Sequence, residues 1–396
     1  MILVTMALLI VALAFWLWTH VEMSRVARCV PFLRADAAAT LPGKPPKVSV
    51  IVPAHNEALN LRRALDALLA QGYPDFEVIV ADDRSADDTA AIAREYAARD
   101  ARVRVIELHD HPDGWAGKPW VLHKAAEQAR GEVLLLLDAD VALDPGALAM
   151  IVARFLEGGL DLLSLYFRHE GSSAVEEIVH VLLGVVVQLL YPLKKINEPS
   201  SPVAMANGQC MMVRAEVYRE FGAHEDIRGR VQEDLLLARA LKRSGRPIET
   251  AYGFDAGAAK WYSTLGAMWT GWTRNIYGLS EGRFDRLLLG LAFVTEVILV
   301  PCVALIGAAA GLCVAGARPG TVAVLAASAA NLVLMMATFW RLLRLSRGRL
   351  RCLPLLPWAG VIFAAMLAAA VFNRVTGRGL VWRGKRYNTG PDGISV

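Results

Sequence analysis

The sequence predicts an α/β domain built on a doubly wound, mostly parallel sheet and held at a membrane by apolar helices at both ends. Three observations predict it. From Val48 to about Tyr262, short β-branched or leucine-rich runs alternate with helix-like stretches, the pattern of a parallel sheet covered on both faces. Outside that region lie apolar runs long enough to cross roughly 30 Å of hydrocarbon. The whole chain is also apolar, with 55% hydrophobic and 20% charged residues and a mean hydropathy of +0.38, beyond an ordinary soluble protein.

Met1–Trp18 is a nearly uninterrupted apolar run, followed by Arg25, Arg28 and Arg34. A cleaved signal peptide carries its positive charge before such a run, so this one reads as an anchor with the next domain in the cytoplasm. The anchor is assigned to residues 1–20 and a linker to 21–47, ending in the Pro-rich Leu41–Lys47. Strands are expected at Val48–Val52, Phe76–Ala81, Val103–Glu107 and Val133–Leu137, and helices over Glu57–Ala70 and Asp87–Ala98, within a catalytic domain of residues 48–286. Ile178–Leu193 is apolar but short for a span, hence a core helix or an interfacial one.

Three apolar segments, Leu287–Gly316, Thr321–Trp340 and Leu353–Phe372, fill a C-terminal membrane region of residues 287–373. Arg341–Arg351 carries five arginines and belongs in the cytoplasm. The basic tail, residues 374–396, holds Arg374, Arg378, Arg383, Lys385 and Arg386 and prefers the same side, which three full crossings would forbid. A Leu353–Phe372 segment that dips in and returns, with Pro354 and Pro357, would reconcile the two. The expected location is the cell (inner) membrane, multi-pass, with the catalytic domain facing the cytoplasm.

A net charge of +4, its basic residues beside apolar segments, points to membrane flanks and away from nucleic acid. Cys29, Cys210, Cys302, Cys313 and Cys352 have no metal-like spacing and form no disulfide framework, which fits a reducing compartment.

In a parallel sheet, ligands bind at the carboxyl ends of the strands. There the first strand runs into Pro53-Ala54-His55-Asn56-Glu57, a turn that offers polar groups to a nucleotide or simply caps a helix. The second ends in Asp82 and Asp83, able to accept hydrogen bonds from a base N–H and ribose hydroxyls, with Asp87 and Asp88 as caps of the next helix. Gly114-Trp115-Ala116-Gly117-Lys118 fails the P-loop spacing, yet Lys118 can contact donor phosphate or ribose as a point charge. Val133–Leu137 ends abruptly in Asp138-Ala139-Asp140. Carboxylates buried unpaired are expensive, so this pair should meet strong donors or a hard divalent ion that also binds diphosphate. Gln232-Glu233-Asp234 opens a helix, as caps or as the source of a general base for an acceptor hydroxyl. Trp261, Trp269 and Trp272 with Arg274 precede the membrane segments, as interface anchors or as a sugar and acceptor platform from which Arg274 reaches the diphosphate.

As an ordered set, PAHNE, DDRSADDT, GWAGK, DAD, NGQ and QED resemble the inverting, nucleotide-sugar-dependent family 2 glycosyltransferases over roughly Val48–Tyr277. Within that family the chain looks most like the membrane-bound members associated with hopanoids and carotenoids, through the Trp115–Trp120 loop, Gln188–Pro192 and Asn207–Met211. The resemblance implies a GT-A fold and a UDP- or GDP-linked donor contacted by Pro53, His55, Glu57, Asp82 and Asp83, with Lys118 and Asp138 beside it. It implies Mg²⁺ or Mn²⁺ at Asp138 and Asp140, mainly Asp140, and Asp234 as catalytic base, supported by Glu233 and Arg274. Acceptor-side candidates are Gly208, Gln209, Trp269 and Trp272. Arg84 stands where the family has glycine, and Gly271–Arg274 only loosely resembles the QxxRW motif of processive synthases, against polymer extrusion. The expected partners are a nucleotide-diphosphate sugar, a lipid or isoprenoid-type acceptor and the membrane. The alternatives are a polyprenyl-phosphate glycosyltransferase and a nucleotide-binding scaffold without turnover.

Overall fold

The computed structural model describes residues 2–34, 41, 43–230, 232–262, 264–280, 283–376, 380–382, 385–390 and 393–395. In chain order its principal elements are α1 (Ile2–Cys29), β1 (Val48–Ala54), α2 (Leu61–Leu69), β2 (Phe76–Asp83), α3 (Thr89–Arg99), β3 (Val103–Leu108), α4 (Gly117–Glu127), β4 (Val133–Leu137), β5 (Val141–Leu143) and α5 (Ala147–Glu157). There follow β6 (Leu162–Tyr166), β7 (Arg168–His169), α6 (Ala174–Leu190), α7 (Leu193–Asn197), β8 (Cys210–Arg214), α8 (Ala215–Glu220), α9 (Glu233–Arg243), β9 (Ile248–Tyr252), β10 (Gly257–Ala259) and α10 (Leu265–Leu279). The chain divides into a sheet unit (Val30–Glu170, Gln188–Trp261, Ile394–Val396) and a helical unit (Met1–Cys29, Gly171–Val187, Tyr262–Gly393). The stretch expected as one domain, residues 48–286, is shared between the two: α10 packs on the helix Leu356–Thr376, and α6 meets Arg349 through Glu177 and Trp272 through His180.

The sheet unit is built on seven strands in the order β3-β2-β1-β4-β8-β6-β9. All pairings are parallel except those of β8, which runs antiparallel between β4 and β6. Val133–Leu137 is buried along its whole length, as a central strand covered on both faces must be. Parallel register sets Ala54 beside Asp82. The reversed β8 sets Cys210 beside Leu137, so the turn before it meets the carboxyl end of β4. That end of the sheet gathers the site.

In the helical unit, four helices among the described residues are long and apolar enough to cross a membrane: Ile2–Val26, Phe284–Ala315, Pro319–Leu345 and Leu350–Thr376. The first helix continues to Cys29, beyond the anchor end expected at residue 20, because residues 21–29 contain no glycine or proline and Arg25 pairs with Glu22 at 3.2 Å. The chain then joins the sheet unit directly: Leu33 N donates to Tyr252 O and Tyr252 N to Pro31 O, so the expected linker starts as an edge bridge. Helix pairing is stitched by polar side chains: Asn331 Nδ2 donates to Leu9 O at 3.0 Å, Trp16 Nε1 to Val297 O at 2.7 Å, and Arg341 to His20 O and Ser24 Oγ. Arg349 donates to the buried Glu177 of α6. The last segment does not turn back: Leu356–Thr376 is one unbroken helix, because Pro354 and Pro357 fall at its start, where a missing N–H costs nothing. Arg378 and Arg383 of the tail lie outside the described residues.

Candidate active site

The turns after β1 and β2 are stitched to each other. His55 Nδ1 lies 2.5 Å from Asp83 O. A carbonyl can only accept, so Nδ1 carries the proton and Nε2 is left as the ring's acceptor. Asn56, in the left-handed region at φ 56°, accepts from Ala86 N through Oδ1 and donates its own N–H to Ser85 Oγ. Glu57 N donates to Thr89 Oγ1. Asp87 is a cap, as expected, taking Thr89 N and Ala58 N.

Arg84 also lies in the left-handed region, at φ 53°, so the turn keeps a glycine-type conformation without the glycine. Its guanidinium holds Asp83 Oδ1 at 2.6 and 2.8 Å. Gly117 approaches the same carboxylate so closely that an added Cβ would stand 3.1 Å from Asp83 Oδ2. Asp82 is buried. Its Oδ2 accepts from Ser85 N at 3.1 Å, while Oδ1 has no hydrogen-bond partner among the described residues. A buried carboxylate oxygen left without a partner calls for a hydrogen-bond donor.

The second half of the site centres on Lys118, on the first turn of α4. Its Nζ lies 2.7 Å from Asp138 Oδ1, 3.2 Å from Glu233 Oε1 and 3.0 Å from Gly208 O. Burial alone would lower its pKa, but the charges of Asp138, Glu233 and Asp234 outweigh that and hold the ammonium above its ordinary range. Asp234 receives Gly208 N at 2.9 Å and Leu235 N at 2.7 Å on its two oxygens. Its carboxyl is pushed up to about 6, first by burial and then by the Glu233 charge, against the pull of Lys118 and those two N–H groups. The turn before β8 is braced by Asn207, whose Nδ2 donates to Leu165 O and Gln209 Oε1. Gln209 is buried, and its Nε2 has no hydrogen-bond partner among the described residues.

Thus Asp82, Asp83, His55, Glu57 and Pro53 line two adjoining strand ends, and Lys118, Asp138, Gly208, Glu233 and Asp234 meet around one ammonium. Asp140 belongs to the same turn as Asp138, its carbonyl accepting from Lys260 N. Trp269, Trp272 and Arg274 lie on α10 in the helical unit, where Trp272 packs edge-on to His180 and Arg274 holds Asn275. Trp261 belongs to the sheet unit and packs against its core. Sequence reasoning missed Tyr166, whose phenol lies near Asp234. An aromatic closing a leucine-rich strand carries no signal that separates it from core.

Residues 49–222 match Glycosyl transferase family 2. That match begins in β1 and ends just past α8. The chain is 26% identical over 254 residues to the 4,4'-diaponeurosporenoate glycosyltransferases of Staphylococcus aureus strains MRSA252 and USA300. Those matches cover 62% of this chain and span 64% of the relatives' own length. Among solved structures it is similar to the mannosyltransferase PcManGT from Pyrobaculum calidifontis, in complex with GDP-Man and Mn²⁺. There the TM-score is 0.51 and identity 20%, covering 94% of this chain and 99% of that one. The GT-A fold expected from the sequence is borne out.

Proposed function

We propose that this glycosyltransferase moves a sugar from a nucleotide-diphosphate donor onto the hydroxyl of an isoprenoid-type lipid at the membrane surface, with inversion. The observation that carries it is the juxtaposition of Asp234, a carboxyl raised toward neutrality, with the Lys118–Asp138 pair at the carboxyl end of β4. A base poised near the working pH and a fixed cation beside the donor site are what an in-line displacement requires. The carotenoid-type acceptor named for the Staphylococcus relatives and the four apolar helices support a lipid acceptor. The arginines at the ends of those helices favour a cytoplasmic catalytic unit.

In the reaction Asp234 takes the proton from the acceptor hydroxyl, whose oxygen bonds to the anomeric carbon. The bond from that carbon to the diphosphate oxygen breaks, and the nucleoside diphosphate leaves with the electron pair. One displacement inverts the configuration. Lys118 holds the diphosphate side and Asp82 the base. Among the described residues no three His, Cys, Asp or Glu side chains are grouped to hold a metal. Asp138 and Asp140 still fit Mg²⁺ or Mn²⁺, because such an ion takes one or two hard carboxylates and completes its shell with phosphate oxygens. Bound there, the ion would neutralise charge on the leaving diphosphate.

The test offers labelled UDP-glucose, UDP-GlcNAc, UDP-galactose and GDP-mannose with Mn²⁺ to membranes containing the protein, and counts label in a lipid extract. One donor should label lipid, and Asp234→Asn should lower the rate about 10²–10⁴-fold. Transfer undiminished in that variant would replace the alcohol with a phosphate acceptor, which needs no base. Donor binding with no transfer from any donor would leave a scaffold.

A further inference from the structure

The sheet unit carries a row of half-buried aromatic rings that the donor chemistry does not use. Tyr166 closes β6 and Tyr252 closes β9, with ring centroids 6.2 Å apart. Tyr252 stacks on Phe254 at 4.9 Å and meets Phe32 at 4.9 Å, and Phe32 meets Phe254 at 6.3 Å. All four rings keep part of their surface exposed. One end of the row lies at the chemistry. Burial, then Tyr252, then Asp234 and Tyr191 push the Tyr166 phenol well above its ordinary range, and its hydroxyl faces Met205 Sδ at 3.7 Å, three residues before Gly208. The other end, Phe32, sits three residues after the last residue of α1, in the segment that bridges Tyr252.

We infer that this row, Tyr166–Tyr252–Phe254–Phe32, is the track on which the apolar chain of the lipid acceptor lies, presenting its hydroxyl to Asp234. The inference rests on the reading of the acceptor as a lipid alcohol and adds the place that binds it. Flat rings in offset and tilted contact present a continuous apolar surface at little cost in side-chain entropy. Ring edges and faces suit a methyl-branched or polyene chain of isoprene units. The Tyr166 phenol supplies a polar point where the chain ends at the base. A core explanation accounts for rings buried on all sides, whereas these four residues are each partly exposed and run from the neighbourhood of Asp234 to the bridge segment that follows the N-terminal helix. Such a track lets a molecule stored in a bilayer reach the base without exposing its whole length to water.

The test uses the full-length protein in lipid nanodiscs and geranylgeraniol carrying a diazirine at the far end of its chain, read by peptide mapping after irradiation without donor. The expected result is saturable labelling of the peptides containing Phe32 and Tyr252–Phe254, competed by unmodified geranylgeraniol. Labelling should fall about tenfold in a Tyr252→Ser, Phe254→Ser double variant and persist in Tyr252→Leu, Phe254→Leu, which keeps apolar bulk. Nucleotide binding and Tm should match the wild type in the leucine variant, so a misfolded serine variant does not hide the answer. Labelling confined to the apolar helices, labelling that does not saturate, or protection by UDP-glucose or GDP-mannose would overturn the track. Failure of the functional reading is visible separately, as wild-type membranes that transfer no sugar to lipid, since labelling is read without turnover.

Discussion

Two strand ends of one sheet each carry a pair of carboxylates, and they handle the charge in opposite ways. After β2, Asp83 is neutralised by its own neighbour Arg84, and the buried Asp82 keeps one oxygen without a partner among the described residues. After β4, Asp138 is neutralised by Lys118, which comes from a different element and is shared with Glu233. A cation supplied by the adjacent residue is fixed by the turn itself and leaves a neutral, shape-specific acceptor for a base. A cation shared among carboxylates from distant elements is balanced between partners, and a diphosphate can redistribute it. The first arrangement suits recognition and the second suits chemistry, although the sequence writes both as two acids at the end of an apolar run.

The largest effect should come from breaking the shared cation. Lys118→Met leaves Asp138 and Glu233 facing each other without a counter-charge, and kcat should fall about hundredfold. Lys118→Arg should restore part of it, because a charge is retained though its geometry differs. Steady-state transfer measured with saturating donor reads both. Equal loss in the two variants would mean that position, not charge, is what Lys118 contributes.

The pH profile sharpens the same point. Asp234 must be ionised to accept a proton, so kcat should rise through about pH 6 and level off above it. Removing the Lys118 charge, which pulls that carboxyl down, should move the limb to higher pH. Stability runs the other way. A carboxyl held above its unfolded value of about 3.9 contributes stability that is complete below that value and is lost as pH climbs through about 6. Asp234→Asn should therefore gain Tm over the wild type at pH 8 and lose that gain at pH 4, as read by thermal unfolding.

At the recognition end, a smaller change is expected. Asp82→Ala removes the open oxygen and the acceptor for Ser85 N, and the donor KM should rise about tenfold with kcat within twofold. A fall in kcat at unchanged KM would show that the two strand ends do not divide the work as described.

Much of this was legible in the sequence for reasons that are local. The Val133–Leu137 run had to be a strand buried on both faces, and the four expected strands are found within two residues of their ends. The acids at their ends were visible because an apolar run that stops at a carboxylate is a physical discontinuity. The Lys118–Glu233 pair was not visible, since 115 residues of chain separate its members and only tertiary packing closes the distance. Nor was the reversed β8, whose alternation reads the same in either direction, though it alone brings Gly208 to Asp234. The aromatic row escaped notice because its rings come from three separate stretches of chain.

The smallest effect tests whether Arg84 is there for its side chain or in spite of its backbone. At φ 53° a non-glycine residue costs about 1–2 kcal/mol, and Arg84→Gly removes that cost while giving the unfolded chain more freedom, worth up to about 1 kcal/mol the other way. The Arg84–Asp83 pair is partly exposed and adds less than about 1 kcal/mol. These terms nearly cancel, so the Tm of Arg84→Gly should stay within a few degrees of the wild type. Arg84→Val cannot cancel them: it keeps the strain, adds a branched Cβ and loses the ion pair, and it should unfold earlier than either. If Arg84→Gly also leaves the donor KM unchanged, Asp83 needs no neighbour to hold it. A several-fold rise instead would mean that the guanidinium orients the carboxylate that meets the ribose, and that the strain at this turn is maintained for that purpose.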